Sequence, residues 1–334
     1  MRTTIKDTDY LAISARIKAM ENGLLTRERM EQVLEARTDE EALKLLQESG
    51  YPELYATDPE SLDAALSAAR EETLADLADS APDPRYIDIF KLKYDYHNVK
   101  AILKAGAMGV SPDHMLMDMG RVPAAELKQA LQSGELENLP PMVAAAAAEA
   151  REVLDTTRDP QLSDIVLDRW CYQDMDAVAE TTGSAFLHGY VKAQIDAANL
   201  RSLIRTIRMG KNETFLAGIL FTGGEVAEDA VLKVSAGKGS GLKELYQSTP
   251  FRAAAEAGAQ ALSGGPLTEF EKLCDDAVSD YLAGAQFVPF GEAPLVGYLA
   301  AKETEYTNLR ILLIGRSTGL PADVIRSRLR ASYV

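Results

Sequence analysis

The sequence predicts an all-helical protein built from three similar domains. A nine-residue motif occurs three times, at residues 95–103, 196–204 and 305–313. The chain is rich in helix-forming residues, and the alternation of apolar and polar residues typical of strands is scarce. A repeat of about 100 residues is much longer than the units that stack into solenoids. We therefore expect three domains around a common centre, with bounds 1–118, 119–222 and 223–334.

The motif reads acid, two residues, asparagine, aliphatic, base, one residue, two aliphatics. Each copy reaches a glycine eleven residues after its asparagine, at Gly109, Gly210 and Gly319. Glycines such as Gly109 and Gly319 are typical of helix C-caps, where the backbone turns left-handed. The motif therefore predicts three equivalent helices.

Each motif helix carries one apolar stripe, so each is expected to pack one face into its own domain. The acid and the asparagine fall on a flanking strip. We interpret them as structural, with each asparagine bonded to a neighbouring loop. The stripes are Ile89, Leu92, Tyr96, Val99 and Leu103, then Tyr190, Ala193, Ala197, Leu200 and Ile204, then Leu299, Tyr306, Leu309 and Leu313 with Lys302 as the exception.

Helix starts are signalled by aspartate–proline pairs 101 residues apart, at Asp58 and Asp159, where proline suits the first helical position. Residues 268–271 match a capping box. Residues 10–23 resemble a degenerate half-copy of the motif helix if Gly23 is aligned with Gly109. This alignment predicts that the first helix lies near the last.

The composition excludes several classes of function. A net charge of −16 argues against nucleic acid as a general partner. The sequence has no run of 18 apolar residues, which predicts no membrane span, and residues 1–7 lack the apolar stretch of a signal peptide. The two cysteines, Cys171 and Cys274, predict no disulfide framework. We interpret both as small buried hydrophobic residues.

No motif for catalysis, for a cofactor or for a metal stands out. The stretch 235–241 looks like a phosphate-binding loop, but such a loop needs a glycine five residues before its Gly-Lys pair, and that position is Leu232. The three histidines have no paired metal spacing, and no nucleophile sits in a recognisable elbow. Enzyme activity, a cofactor and a metal therefore have no positive support in the sequence. A helical enzyme stays open as an alternative, because active sites assemble from distant residues.

Basic residues concentrate around the three motifs of this acidic chain. Windows 85–105, 192–211 and 302–334 carry 5, 5 and 6 basic residues against 2, 1 and 3 acidic residues. These bases either face a shared central space or form an ordinary solvated face. In the first case they would bind an acidic partner, and the candidate contact residues are Lys100, Lys104, Arg201, Arg205, Arg310 and Arg316.

Residues 90–100, Phe-Lys-Leu-Lys-Tyr-Asp-Tyr-His-Asn-Val-Lys, closely resemble the signature of one component of the rotary ATPases. This component is called C in bacterial and archaeal A/V-type ATPases and d in the eukaryotic vacuolar enzyme. The resemblance includes residues 10–17, 199–201 and 308–310 and extends over nearly the whole chain. Two departures are Ala197-Ala198 in place of Tyr96-His97, and Glu305 in place of aspartate.

The resemblance implies an all-helical, funnel-like fold of three similar domains with pseudo-threefold symmetry. It implies a peripheral position on the cytoplasmic side of the membrane, against the proteolipid ring. It also implies a central socket for the rotor shaft, which the D and F subunits form, with torque transmitted and no catalytic, nucleotide or metal site. The alternative from a different class is a cytosolic helical scaffold for another protein.

Overall fold

The computed structural model describes residues 6–51 and 58–333, which form helices and no strand. The all-helical prediction is therefore confirmed. Short 3-10 turns lie at Asp7–Tyr10, Asp113–Met115 and Gly284–Phe287. The α-helices are α1 (Leu11–Glu21), α2 (Arg27–Glu35), α3 (Asp39–Glu48), α4 (Pro59–Ser80), α5 (Arg85–Met108), α6 (Ala124–Ser133), α7 (Pro141–Thr157), α8 (Pro160–Thr182), α9 (Ala185–Arg208), α10 (Glu213–Ala217), α11 (Glu228–Ala236), α12 (Leu242–Tyr246), α13 (Arg252–Leu262), α14 (Leu267–Ala283), α15 (Glu292–Ser317) and α16 (Ala322–Arg328).

The chain divides into two compact units. Unit 1 comprises the described residues of 1–82 and 192–334, and unit 2 comprises Asp83–Val191. The division falls inside α9, whose motif belongs to unit 1. The three-domain boundaries stay a prediction.

The three motifs lie in the long helices α5, α9 and α15, which we call the signature helices. All fourteen apolar members of the three predicted stripes are buried, which confirms the predicted packing faces. Lys302 is half-buried, and its ammonium donates to the Glu305 carboxylate and the Tyr51 hydroxyl, both at 2.6 Å. It also lies 4.8 Å from the centre of the Tyr51 ring, so its charge is stabilised inside the apolar stripe.

The glycine that follows each signature helix ends it in the same way. Gly109, Gly210 and Gly319 have φ values of 67°, 65° and 69°, the left-handed conformation that suits glycine. In each case the N–H of the next residue donates to a carbonyl five residues back, at 2.9–3.1 Å. The predicted C-caps at Gly109 and Gly319 are confirmed, and this backbone bond satisfies a carbonyl that the helix leaves free.

Two predicted helix starts are confirmed and one is wrong. Helices α4 and α8 begin at proline, and the preceding Asp58 and Asp159 accept backbone N–H bonds at 2.9 and 2.8 Å. The capping box at residues 268–271 is wrong, because α14 begins at Leu267. The carboxylate of Glu271 pairs with Arg201 instead, at 3.0 Å.

Helix α1 lies beside the start of α15, as the half-copy predicts. The Ser14 hydroxyl donates to the carbonyl of Gly291 at 3.4 Å, and Lys18 donates to that of Gln286 at 3.1 Å. The alignment of Gly23 with Gly109 is wrong, since Gly23 is absent from the glycines with positive φ in the described chain. Gly23 instead lies in the segment that precedes α2.

Each unit has a helical core of its own. In unit 2, α8 packs against both α5 and α7, and the Phe90 and Tyr190 rings stack at 5.8 Å. In unit 1, α2, α3 and α4 share a buried cluster with α15 and α16, in which Leu46 and Leu62 accompany Leu309. Both ends of the chain thus contribute to one core. None of the described helices is both long and apolar enough to cross a membrane.

Candidate partner-binding site

The asparagine of each signature helix holds the backbone of a later segment. The amide of Asn98 donates to the carbonyl of Met117 at 2.8 Å, and its oxygen accepts the N–H of the same residue at 2.9 Å. Asn199 binds both backbone groups of Phe221 at 2.8 Å. The predicted bond between asparagine and a loop is confirmed, and it consists of two hydrogen bonds to one residue.

The third asparagine repeats the arrangement at the end of the chain. Asn308 donates to the carbonyl of Arg330 at 3.1 Å and accepts its N–H at 2.8 Å. All three asparagines are at most 1% exposed, although the sequence suggested only a flanking position. A buried amide needs fixed partners, so each asparagine ties its helix to one backbone position.

The acid of the first motif completes this contact within unit 2. One oxygen of Asp95 accepts the N–H of Val122 at 3.2 Å, and the other accepts the Arg121 guanidinium at 2.9 Å. Arg121 also binds Asp174 of α8 at 2.6 Å, and the Tyr96 hydroxyl donates to Asp174 at 3.1 Å. Burial raises the pKa of Asp95, whereas its bond to Arg121 opposes that rise.

The acid of the second motif uses backbone donors alone. Asp196 accepts the N–H groups of Glu225 and Val226, both at 3.1 Å. Burial raises the pKa of Asp196, and the two backbone bonds oppose the rise. The Glu225 side chain forms an ion pair with Lys192 at 2.6 Å. In the first two motifs the acid and the asparagine hold two points of one segment, and we call the acid and asparagine contacts of each motif its acid–asparagine clamp.

The third clamp takes its acid contact from the opposite end of the chain. Glu305 accepts the N–H of Leu25 and the hydroxyl of Tyr51, and it pairs with Lys302 at 2.6 Å. Burial and the Glu305 carboxylate raise the pKa of Tyr51, which therefore stays a hydrogen-bond donor.

Glycine lets the first two clamped segments approach the carboxylates. A Cβ on Gly120 would lie 2.2 Å from an oxygen of Asp95, and a Cβ on Gly224 would lie 2.2 Å from an oxygen of Asp196. Sequence reasoning missed these glycines. The usable signal was the shared pattern of a large apolar residue, two residues, glycine, one residue and valine at residues 117–122 and 221–226.

The six predicted partner-binding bases are all paired with acids of their own unit. In unit 2, Lys100 and Lys104 of α5 bind Asp168 and Asp164 of α8, both at 2.5 Å. These pairs link the signature helix to the long helix packed against it.

The four remaining bases lie in unit 1, two on α9 and two on α15. Arg201 and Arg205 of α9 share Glu271 of α14, at 3.0 and 2.8 Å, and Arg201 also binds Asp275. These contacts connect α9 to α14 in the way that the unit 2 pairs connect α5 to α8.

On α15 the two bases differ in their surroundings. Arg310 binds Asp63 of α4 at 2.6 Å, and this hydrogen bond raises the pKa of Arg310. Arg316 binds the carbonyls of Leu34 and Ala36 at 2.8 and 3.0 Å as well as Asp39 at 3.1 Å. Arg316 therefore binds the backbone where α2 ends and α3 begins.

Exposure separates the six bases into two groups. The side chains of Lys104, Arg205 and Arg310 are 39%, 57% and 56% exposed, so a partner could reach their charges. Lys100, Arg201 and Arg316 are between 12% and 23% exposed and are held by their acids. Contact of these six residues with a partner stays a prediction.

The surroundings of the two cysteines and of His97 fit structural roles. Burial raises the pKa of both Cys171 and Cys274 to about 12, which keeps the thiols protonated. His97 forms a 3.0 Å hydrogen bond with the carbonyl of Met115. Within residues 6–51 and 58–333, no three histidine, cysteine or acidic side chains form a group that could hold a metal ion.

Comparison with known proteins gives matches along nearly the entire chain. The family model described as "ATP synthase (C/AC39) subunit" matches residues 13–328. The C subunit of the V-type sodium ATPase of Enterococcus hirae is 26% identical, and the alignment covers 97% of this chain and 99% of that one. The C subunit of the A-type ATP synthase of Methanocaldococcus jannaschii is 25% identical, with 96% and 86% covered.

The three motifs, at residues 95–103, 196–204 and 305–313, all fall inside the matched region. The chain therefore belongs to the ATP synthase (C/AC39) subunit family, whose members are structural, non-catalytic subunits of rotary ATPases.

Proposed function

We propose that the chain is the central-stalk adaptor of a V/A-type rotary ATPase. It couples the rotor shaft, made by the D and F subunits, to the membrane proteolipid ring and transmits torque for ATP-linked proton or sodium transport. It acts on the cytoplasmic side of the membrane as a peripheral subunit. The observation that carries this proposal is the match over residues 13–328, together with relatives named as the C subunits of V-type and A-type enzymes.

The clamps support a mechanical role. An adaptor that transmits torque must resist shear between its helices, and apolar packing alone is not directional. Here each signature helix is fixed by a buried asparagine and a buried acid, and by ion pairs to the long helix beside it. Directional bonds in a buried setting favour one arrangement of the helices, which suits a part that must turn as one body.

The exposed bases Lys104, Arg205 and Arg310 are the proposed contacts for acidic groups of the shaft, and the three more covered bases support them. Each exposed base already has an acid partner, so a shaft carboxylate would have to share or replace it. Single contacts of this kind contribute at most about 1 kcal/mol. Their main effect is therefore expected on the rate of association rather than on affinity.

The test measures binding to both proposed neighbours. Purified chain is passed over an immobilised D–F complex and, separately, mixed with detergent-solubilised proteolipid ring. We expect saturable binding to both, and no ATP hydrolysis by the chain alone. The adaptor proposal would be refuted if the chain, shown to be folded by circular dichroism, fails to bind one or both of these neighbours.

Paired variants isolate the contribution of the bases. Arg205→Gln with Arg310→Gln should slow association with D–F several-fold at low salt and reduce its dependence on salt. The matched control is Arg16→Gln with Arg252→Gln, because both arginines are exposed, are paired with acids and lie outside the signature helices. Equal association rates for the two double variants would remove the proposed contacts while leaving the adaptor role standing.

A further inference from the structure

The third clamp differs from the others because its asparagine and its acid hold opposite ends of the chain, at Arg330 and Leu25. Asp95 and Asp196 bind the N–H groups of Val122 and Val226, which lie 27 and 30 residues later. Glu305 binds the N–H of Leu25, which lies 280 residues earlier. The same contact is therefore made once between distant parts of the chain.

The sequence around Leu25 repeats the pattern of the other two clamped segments. In each segment a glycine lies two residues before the bound aliphatic residue. A helix cap comes directly after the aliphatic residue, and a helix follows. The three segments are Gly120-Arg121-Val122-Pro123 before α6, Gly224-Glu225-Val226-Ala227 before α11, and Gly23-Leu24-Leu25-Thr26 before α2.

The long helix that follows each segment returns to the same signature helix. Helix α8 binds α5 through Asp168 and Lys100, and α14 binds α9 through Asp275 and Arg201. Helix α4 binds α15 through Asp63 and Arg310. Helix α4 is thus paired with α15 in the same way that α8 is paired with α5 and α14 with α9.

Packing between the two chain ends is extensive. The rings of Tyr51 and Tyr306 meet edge to face with centres 6.4 Å apart. The Tyr306 hydroxyl lies 2.8 Å from that of Thr73, and Arg70 of α4 pairs with Glu303 at 3.1 Å. Thr73 and Arg70 lie on α4 and belong to its contact with α15, whereas Tyr51 follows α3 and donates its hydroxyl to Glu305.

We infer that the third repeat is assembled from both ends of the chain and that the contact of Leu25, Tyr51 and Lys302 with Glu305 is its closing seam. The third structural unit then consists of α15, the segment from Gly23, and helices α2 to α4. The covalent link between α4 and α5 is not needed to hold these helices in place. The seam is the point at which the two ends can separate.

The test cuts the chain after it has folded. A protease recognition sequence is inserted between Pro82 and Asp83, where the two units divide, and the folded full chain is cleaved. We expect the fragments to co-elute in size-exclusion chromatography. With Glu305→Ala, the dissociation constant of the cut chain should rise at least tenfold.

The matched control is Asp196→Ala. This variant also removes a buried clamp acid, but both halves of its clamp, Asp196 and Val226, lie in the same fragment. It should leave the dissociation constant within about twofold, because the contact that it removes does not join the two fragments. If Glu305→Ala does not fold, Tyr51→Phe keeps the ring and removes one donor, and it should loosen the fragments at least threefold.

Three outcomes would overturn the inference. The fragments of the parent chain could separate on cleavage at micromolar concentration. Asp196→Ala could loosen them as much as Glu305→Ala. The Glu305 and Tyr51 variants, once cut, could bind as tightly as the parent. Any of these results would show that the seam does not hold the two ends together.

Discussion

The clamps on α5 and α9 share the asparagine bonds and the bond from a valine N–H to the acid, and they differ in the residue between the glycine and that valine. Arg121 follows the glycine of the first segment, and Glu225 follows the glycine of the second. Arg121 turns inward and bridges Asp95 and Asp174, with its side chain 18% exposed. Glu225 turns outward to Lys192, in a pair whose side chains are 67% and 42% exposed.

The two clamps have in common the backbone N–H groups that bind the acid. Asp196 is buried, and two backbone N–H groups hold it through hydrogen bonds. Backbone donors therefore suffice to hold a buried carboxylate at this position. The buried ion pair of Arg121 is an addition that also connects α5 to α8, because Asp174 lies on α8.

The largest expected effect comes from removing that cation. Arg121→Gln leaves Asp95 and Asp174 buried without their shared guanidinium, so we expect a loss of about 3–5 kcal/mol in the free energy of unfolding at pH 7. Lys192→Gln is the control, because it breaks an exposed pair and should cost less than about 1 kcal/mol. Urea unfolding followed by circular dichroism measures both. Equal losses would contradict the comparison.

The same variant should show a defined pH dependence. Burial already raises the pKa of Asp95, and loss of Arg121 raises it further. The folded state then binds a proton more readily than the unfolded state, so stability falls as pH rises through the folded pKa. The deficit of Arg121→Gln should be largest at pH 7 and smaller at about pH 3.5, below the usual aspartate pKa of about 3.9. A deficit that grows on acidification would exclude this account.

The second effect compares the asparagines. Asn199→Ala removes two hydrogen bonds from the backbone of Phe221, a residue only 8% exposed. We expect a loss of about 2–4 kcal/mol, because both lost bonds are buried. Asn98→Ala should cost less, since Met117 is 36% exposed and water can reach its backbone. Denaturant midpoints in the reverse order would contradict the role of burial.

The smallest of the three effects concerns the glycines. Gly224→Ala would put a methyl group 2.2 Å from the Asp196 carboxylate, and we expect a loss of about 2 kcal/mol from this overpacking. Gly218→Ala is the matched control nearby, because its new Cβ would meet nothing closer than 3.5 Å and its φ is −73°. The control should be neutral or slightly stabilising in thermal unfolding. Two similar destabilisations would argue against a steric cause.

Local patterns were enough to predict the helix ends that depend on neighbours in the chain. Asp58 caps α4 with its own carboxylate, and Gly109 ends α5 through a bond to a residue four positions earlier. The capping box at residues 268–271 failed because α14 already begins at Leu267. Glu271 is the shared partner of Arg201 and Arg205, and no local pattern reports a partner some 70 residues away.

The sequence by itself determined that the chain is helical, that it repeats one helix three times and which family it resembles. These properties follow from periodicity, caps and motif spacing, which are local. Only the tertiary structure decided that the motif acids and asparagines are buried clamps, that the candidate bases are neutralised by acids and that Leu25 closes on Glu305. Hydrogen bonds and ion pairs depend on distances of about 3 Å in space, and residues 280 positions apart acquire such a distance only when the core has formed.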